Sequence, residues 1–305
     1  MEELDFTRPD SGPANAAPAA APPPAPRTAQ SPYYKPDVAQ AIFRAAGRAE
    51  RFAAGTAIFE EDEKAAGGFF SRKSAARMYF LAAGEVGLTL GGKPLDTLKA
   101  GEVFGEMAVI SGQPRTAAAR AKTDCAAYSI GVDELQAALA QAPEFALMLM
   151  SVMFDRLRFL AARLAMRRGA RASGPGREAA GYPPELVDRV EATLARSAVV
   201  RHLPGATLMR EGQGGSCLYL VKEGVVAISI AGNVVERVQA GASFGEMAVV
   251  DQSPRTASAT AETECVLLAI DRASLVEAVR RVPDFGLAML RDAAERLRHM
   301  NAQLS

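Results

Sequence analysis

Two acidic side chains and two guanidinium groups recur in the same company along this chain. Gly105, Glu106, Met107, Ala108, Arg115, Thr116 and Ala117 lie within Phe104–Ala119, FGEMAVISGQPRTAAA. Gly245, Glu246, Met247, Ala248, Arg255, Thr256 and Ala257 lie within Phe244–Ala259, FGEMAVVDQSPRTASA. The offset is 140 throughout, and 11 of the 16 positions are identical, which marks a duplicated unit. The chemistry of the residue types is specific. Glycine lets a ligand approach the backbone. A helical turn after it presents free N–H groups to an anion. Arginine offers a planar fork of donors suited to phosphate. An ionised glutamate only accepts, so it seeks a hydroxyl. One cassette holding all three fits a sugar phosphate.

The elements that must position the cassette follow the same repeat. Val38, Ile42, Phe43 and Ala46 share one face of an expected helix over Asp37–Ala49. Strand patterns follow at Thr56–Phe59, Met78–Leu81, Val86–Leu90, Leu95–Leu98 and Cys125–Ile130, separated by glycine turns. The second half repeats them, with a helix at Glu185–Leu194 and strands at Thr207–Met209, Leu218–Val221, Val225–Ile230, Val234–Val238 and Cys265–Ile270. Short strands at this spacing predict a mainly β protein, two tandem β-rolls of jelly-roll type with flanking helices. The offset is 150 at Gly55/Gly205 but 140 at Tyr79/Tyr219, so the first half carries ten extra residues within Glu63–Arg77. There, Phe69-Phe70 beside Arg72-Lys73 reads as a surface docking patch or a local cluster.

A helical tail is expected after each barrel, with Pro143 and Pro283 suited to a first turn. Met150, Met153, Leu157, Leu160 and Leu164 alternate steps of three and four, and Leu290, Ala293, Leu297, Met300 and Leu304 repeat them. This seam serves a helix packed on its own barrel, or helix pairing between chains or within one chain as an internal pseudo-dimer.

The cassettes FGEMA…PRTAAA and FGEMA…PRTASA resemble the phosphate-binding cassette of cyclic nucleotide-binding domains. That family includes the catabolite activator, regulatory subunits of cAMP-dependent protein kinase and cyclic nucleotide-gated channels. The resemblance implies that Glu106 and Glu246 take the ribose 2′-hydroxyl and that Arg115 and Arg255 pair with the cyclic phosphate. Backbone N–H groups near Gly105, Met107 and Thr116, and near Gly245, Met247 and Thr256, would complete each cradle, with Ala108, Ala117, Ala248 and Ala257 beside them. It also implies a tail helix closing over the base, with Arg158 and Phe159, and Arg298 and His299, as candidate lids. The ligand implied is cAMP or cGMP, with no further cofactor; Thr116 and Thr256 resemble the residue of cGMP-competent members. The expected divisions are a Pro/Ala-rich tail over 1–36, domains over 37–168 and 184–305, and a linker over 169–183, which contains RRGARAS from Arg167 in its approach.

Composition narrows the function classes. Lys+Arg and Asp+Glu both number 35, so there is no basic surplus for nucleic acid or an anionic membrane. The acidic start MEELDFTRPD shows no signal peptide, and the apolar run Phe145–Phe154 is too short for a membrane span. Three cysteines close no disulfide set; Cys125 and Cys265 read as buried thiols, which fits a cytoplasmic protein. Two histidines, His202 and His299, are far apart and argue against a metal β-barrel enzyme. No nucleophile–base pair accompanies the cassettes, so binding rather than catalysis is expected, with regulation of a separate, unidentified partner. A scaffold whose pockets are vestigial or take another anion is the alternative. A transcription regulator is disfavoured, because no helix-turn-helix follows the second tail before Ser305.

Overall fold

The computed structural model describes residues 31, 33–63, 76–168, 177–178 and 181–304. Most of the expected tail, the extra segment with Phe69-Phe70 and Arg72-Lys73, and most of the linker lie outside the described residues.

The first half runs α1 (Pro36–Ala46), β1 (Arg48–Phe52), β2 (Ala57–Phe59), β3 (Met78–Ala83), β4 (Glu85–Leu90), β5 (Lys93–Lys99), β6 (Val103–Phe104), α2 (Glu106–Ser111), β7 (Ala118–Ala121), β8 (Cys125–Ile130), α3 (Val132–Gln141) and α4 (Glu144–Arg168). The second half runs β9 (Arg177–Glu178), α5 (Pro184–Glu191), β10 (Val199–His202), β11 (Thr207–Met209), β12 (Cys217–Glu223), β13 (Val225–Ile230), β14 (Asn233–Gln239), β15 (Ser243–Phe244), α6 (Glu246–Asp251), β16 (Ser258–Ala261), β17 (Cys265–Asp271), α7 (Arg272–Arg281) and α8 (Pro283–Leu304).

Each half builds two sheets. In the first they are ordered β1-β8-β3-β6 and β2-β7-β4-β5. In the second they are β10-β17-β12-β15 and β11-β16-β13-β14-β9, antiparallel except for the parallel pair β14–β9. The two-residue strand β9 sits within the segment read as linker.

The expected strands are present, and three further ones in the first half, β1, β6 and β7, were not anticipated in sequence. The helix expected over Asp37–Ala49 ends at Ala46 and gives way to β1. Gly47 stops it: its N–H returns to the Phe43 carbonyl, and a Cβ there would meet that oxygen at 2.4 Å. The alanine run after Arg115 is β7, whose alternate residues Ala119 and Ala121 are buried. Small side chains suit that strand because its inner face lies against Leu81, Val86 and Phe104 in the barrel core. The second barrel core is the counterpart, built on Val221, Val226, Val238, Phe244 and Leu267. Cys125 and Cys265 are buried free thiols.

A third core joins the two halves. Met150, Met153, Leu157 and Leu160 of α4 are buried in one cluster with Leu290, Ala293 and Leu297 of α8. The seam therefore pairs helices within the chain. The close approach needs Gly286, where a Cβ would meet Val279 at 2.8 Å and Ala146 of the other half at 3.4 Å. Full burial of a leucine-sized side chain contributes about 1.5–3 kcal/mol, so this seam fixes the relation of the halves. Among the described residues no single helix is long and apolar enough to cross a membrane. A bent pair, α3 with Glu144–Leu160, has the composition, and its apolar side chains belong to the shared core.

Candidate functional site

The site in the first half grows from the turn between β6 and α2. Gly105 has φ 71°, a left-handed conformation that glycine adopts without strain. A Cβ there would meet the Arg115 guanidinium at 2.9 Å and the Phe59 ring at 3.1 Å. The glycine thus bends the chain and lets the arginine fold under it. Arg115 Nη1 donates to the Gly105 carbonyl at 2.8 Å, Nη2 donates to the Arg77 carbonyl at 2.8 Å, and the guanidinium stacks over Phe59 at 4.0 Å. Its backbone is also pinned: the Asp62 N–H donates to the Arg115 carbonyl, and the Arg115 N–H donates to Glu63. Arg77 is held in turn by Ser129, through Nε at 2.8 Å and Nη2 at 2.7 Å.

Arg115 is 7% exposed. Burial pushes its pKa down, while Tyr79, Glu63 and Glu106 pull it back up. A guanidinium has five N–H donors, so those not committed to carbonyls remain for an anion. Glu106 is buried too, and Arg156 on α4 pairs with its Oε1 while also donating to the Val103 carbonyl at 3.3 Å. A buried carboxylate without such a partner would be strongly destabilising.

These groups open on one cavity of about 170 Å³. All seven sequence-expected residues of the first cassette line it: Gly105, Glu106, Met107, Ala108, Arg115, Thr116 and Ala117. Phe59, Arg156, Phe159, Leu160 and Leu297 complete its apolar and cationic walls. Leu297 belongs to α8, so the second half supplies part of the first half's cavity. The Thr116 hydroxyl contacts Met107 Sδ at 3.8 Å.

The second cassette repeats the frame. Gly245 has φ 81°. Arg255 Nη1 donates to the Gly245 carbonyl at 2.8 Å and Nη2 to the Cys217 carbonyl at 2.5 Å. Burial likewise pushes the Arg255 pKa down. Glu246 is 4% exposed and Ala248 and Ala257 are buried, while Met247 is half-buried beside the exposed Thr256. An opening of about 350 Å³ adjoins the cassette helix between Gly215-Ser216 and Asp271–Ala273; Ala248, Val249 and Gln252 of the cassette line it, and of the seven residues expected from sequence only Ala248 does.

Of the four lid candidates, Phe159 lines the first cavity. Arg158 and Arg298 do not face their own cassettes. Arg158 pairs with Asp155 and, at 2.5 Å, with Asp251 at the end of α6 in the other half. Arg298 donates to Ser111 Oγ at 3.4 Å and to the Pro114 carbonyl at 3.1 Å, both in the first cassette. Each tail helix therefore clasps the opposite cassette. Positions 158 and 298 are repeat equivalents, as are 251 and 111. Burial works to lower the Arg158 pKa, and its two carboxylate partners outweigh it and leave it raised. His299 is exposed on α8.

Sequence reasoning missed Arg156 and Arg296, although they recur at the 140 offset. Arg296 meets Glu246 at 3.5 Å, Asp292 at 2.9 Å and Glu236 at 3.9 Å. Burial works to lower its pKa, but these carboxylates hold it raised. The signal was an arginine repeated one helical face before the lid.

The family model of the cyclic nucleotide-binding domain matches residues 49–142 and 199–282. This chain belongs to the cyclic nucleotide-binding domain family. It carries two copies of the domain, domain 1 and domain 2. A cGMP-dependent protein kinase of Eimeria tenella is 27% identical over 202 residues, covering 66% of this chain and 18% of the kinase. A CRP-like cAMP-activated global transcriptional regulator of Mycobacterium tuberculosis is 33% identical over 106 residues, covering 33% of this chain and 47% of the regulator. The chain thus spans less than half the length of either relative. Among solved structures, the regulatory domain of Toxoplasma gondii PKA with cAMP is 20% identical, covering 86% of this chain and 99% of that one, with a TM-score of 0.29.

Proposed function

We propose that the chain is a cyclic nucleotide receptor, for cAMP or cGMP, whose bound and free shapes regulate a separate protein and which itself catalyses nothing. The domains extend over 37–168 and 184–305. The observation that carries this reading is the first cavity, where a buried guanidinium and a buried carboxylate from one cassette share a wall with Met107, Thr116 and Phe159. Arg115 and Arg255 take the cyclic phosphate and Glu106 and Glu246 face the ribose. Phe159 closes on the base, because an aromatic face suits a purine. The cassette amides named above complete each cradle.

Signal output follows from the wall that Leu297 supplies. A ligand shifts an equilibrium only through differential affinity for two states. Contacts that draw the first cassette together also move the loop held by Arg298 and the helix that carries Leu297. Helix α8 is seamed to α4, so the relation of the two domains changes with occupancy.

The test is calorimetry on the full chain with cAMP and with cGMP. The Arg115→Ala, Arg255→Ala double variant loses binding, because each charge-assisted contact contributes about 1.5–3 kcal/mol. Sub-micromolar binding retained by that variant overturns the assignment. A folded wild-type chain that binds neither nucleotide supports the scaffold alternative.

A further inference from the structure

The two domains treat their glutamates differently. In domain 2 the Ser243 hydroxyl donates to Glu246 Oε1 at 2.6 Å, and Arg296 lies against Oε2 at 3.5 Å. Ser243 also hydrogen-bonds the Tyr182 hydroxyl at 2.8 Å, and its carbonyl accepts from Arg296 at 3.2 Å. Both Glu246 oxygens are therefore engaged from within the domain. Asp292 and Glu236 add two more carboxylates around the same guanidinium.

Domain 1 keeps a carboxylate at the Glu236 position, Asp96, which lines its cavity, but lacks the other two pieces by sequence. Val103 stands where domain 2 has Ser243, and Val152 stands where it has Asp292. Valine can neither donate to the glutamate nor add charge. The tyrosine before the first helix is diverted accordingly: Tyr34 donates to the Gly101 carbonyl at 2.6 Å. Glu106 meets Arg156 through Oε1 and lines the cavity.

The arginine of domain 2 keeps the carbonyl contacts of its counterpart Arg115. Arg255 is 6% exposed, and its Nε–H is buried with no hydrogen-bond partner among the described residues. It is packed so tightly that a Cβ at Gly215 would meet Nε at 2.1 Å. A buried donor without an acceptor is costly until an anion reaches it. Glu246 has acceptor sites on both oxygens taken from within the domain, whereas Glu106 has one oxygen taken, so Glu246 has less left to offer a further hydroxyl.

We infer that Ser243 and Asp292 are specificity-determining residues that make the domain 2 site read the cyclic phosphate but not the sugar hydroxyl, whereas the domain 1 site reads both. This rests on the receptor reading above. The ligand class for domain 2 is thus a cyclic phosphodiester with or without a 2′-hydroxyl.

The experiment titrates the full chain with cAMP and with 2′-deoxy-cAMP by calorimetry. Arg115→Ala reports domain 2 alone, and Arg255→Ala reports domain 1 alone. The 2′-deoxy ligand binds domain 1 about tenfold or more weakly than cAMP, as expected for losing a hydrogen bond to a charged group. At domain 2 the ratio stays under about threefold. Ser243→Val with Asp292→Val, which installs the domain 1 residues, raises the domain 2 ratio toward tenfold. Ser243→Ala, a milder change, moves it in the same direction and serves if the double variant does not fold. Equal discrimination at both sites, or a domain 2 ratio unmoved by Ser243→Ala, overturns the inference alone. Loss of all binding in Arg115→Ala overturns a phosphate-reading site in domain 2. Wild-type chain that binds neither compound overturns the receptor reading and this inference with it.

Discussion

Two clasps of the same design hold the two cassettes, and they are made of different chemistry. Arg158 reaches from domain 1 to a buried carboxylate, Asp251. Arg298 reaches from domain 2 to a hydroxyl and a carbonyl, at Ser111 and Pro114. The geometry is a pseudo-two-fold, yet one arginine meets a carboxylate and the other meets uncharged acceptors. Duplication copied the frame, and substitution at a single position, Ser111 against Asp251, set the strength of each grip. The same pattern holds at the glutamates, where Val103 and Val152 face Ser243 and Asp292, and under the arginines, where Phe59 faces Met209. Domain 2 is the more heavily tied cassette; domain 1 is the more loosely held and has the cavity lined by all seven cassette residues.

The comparison is open to attack at several points. The largest effect is expected at the shared wall. Leu297 is 1% exposed, and Leu297→Ala costs about 3 kcal/mol of stability, within the range for buried leucines. Denaturant unfolding of the full chain measures this, and the same variant weakens nucleotide binding at domain 1 more than at domain 2. An equal effect on both sites breaks the idea that α8 completes the first cavity.

Next is the pair of arginines. Arg115→Ala lowers affinity at domain 1 by about a hundredfold and removes the cation–π contact with Phe59, worth about 0.5–2 kcal/mol. Arg255 has Met209 in that place, so Arg255→Ala loses less stability than Arg115→Ala. Thermal shifts of the two ligand-free variants compare them.

The clasps come third. Arg158→Leu strands the buried Asp251 and costs about 2 kcal/mol, reduced from the fully buried case because Arg158 is partly exposed. Arg298→Leu removes bonds to uncharged acceptors, strands no buried charge and costs about 1 kcal/mol. Unfolding midpoints that fall equally would erase the distinction between a grip on a carboxylate and a grip on uncharged acceptors.

The smallest effect is at the caps of α3 and α7. Asp271 accepts from the Ser274 N–H at 2.8 Å, and that bond holds its pKa below the ordinary 3.8. Domain 1 has Gly131 there, whose N–H is taken by Glu134 at 2.9 Å. Asp271→Ala costs about 0.5–1 kcal/mol. A depressed folded-state pKa adds stability above the ordinary carboxyl value, and that share is lost as pH falls below 3.8 and the carboxylate protonates. The difference between wild type and Asp271→Ala therefore shrinks in acid, which unfolding curves at neutral pH and near pH 3 test.

Much of this molecule was legible in one dimension because its signals are local and repeated. The cassettes announce themselves by copying, and the seam by steps of three and four. Strands such as Cys125–Ile130 and Thr207–Met209 follow from short-range pattern. What sequence could not give was direction. Arg158 and Arg298 lie beside Leu157 and Leu297 in the seam, and their positions fit a lid over their own half. Only the crossing of α4 and α8 sends them to the opposite cassette, and crossing is set by distant contacts such as Gly286 against Ala146. The short β6 and the alanine-rich β7 were hidden for other reasons: two residues are too few to show a pattern, alanine does not favour strand, and the sheet partners supply what is missing.

The helix that carries Leu297 has a consequence for inheritance. A receptor assembled from two separate identical chains must change both halves with every mutation. Here the partner helix comes from a second gene segment in the same reading frame, so one pocket can be retuned while the other stays as it was. Severing the polypeptide between the halves would strip domain 1 of its far wall and bare an oily helix face to water. The two domains are thus free to diverge, but not to part company.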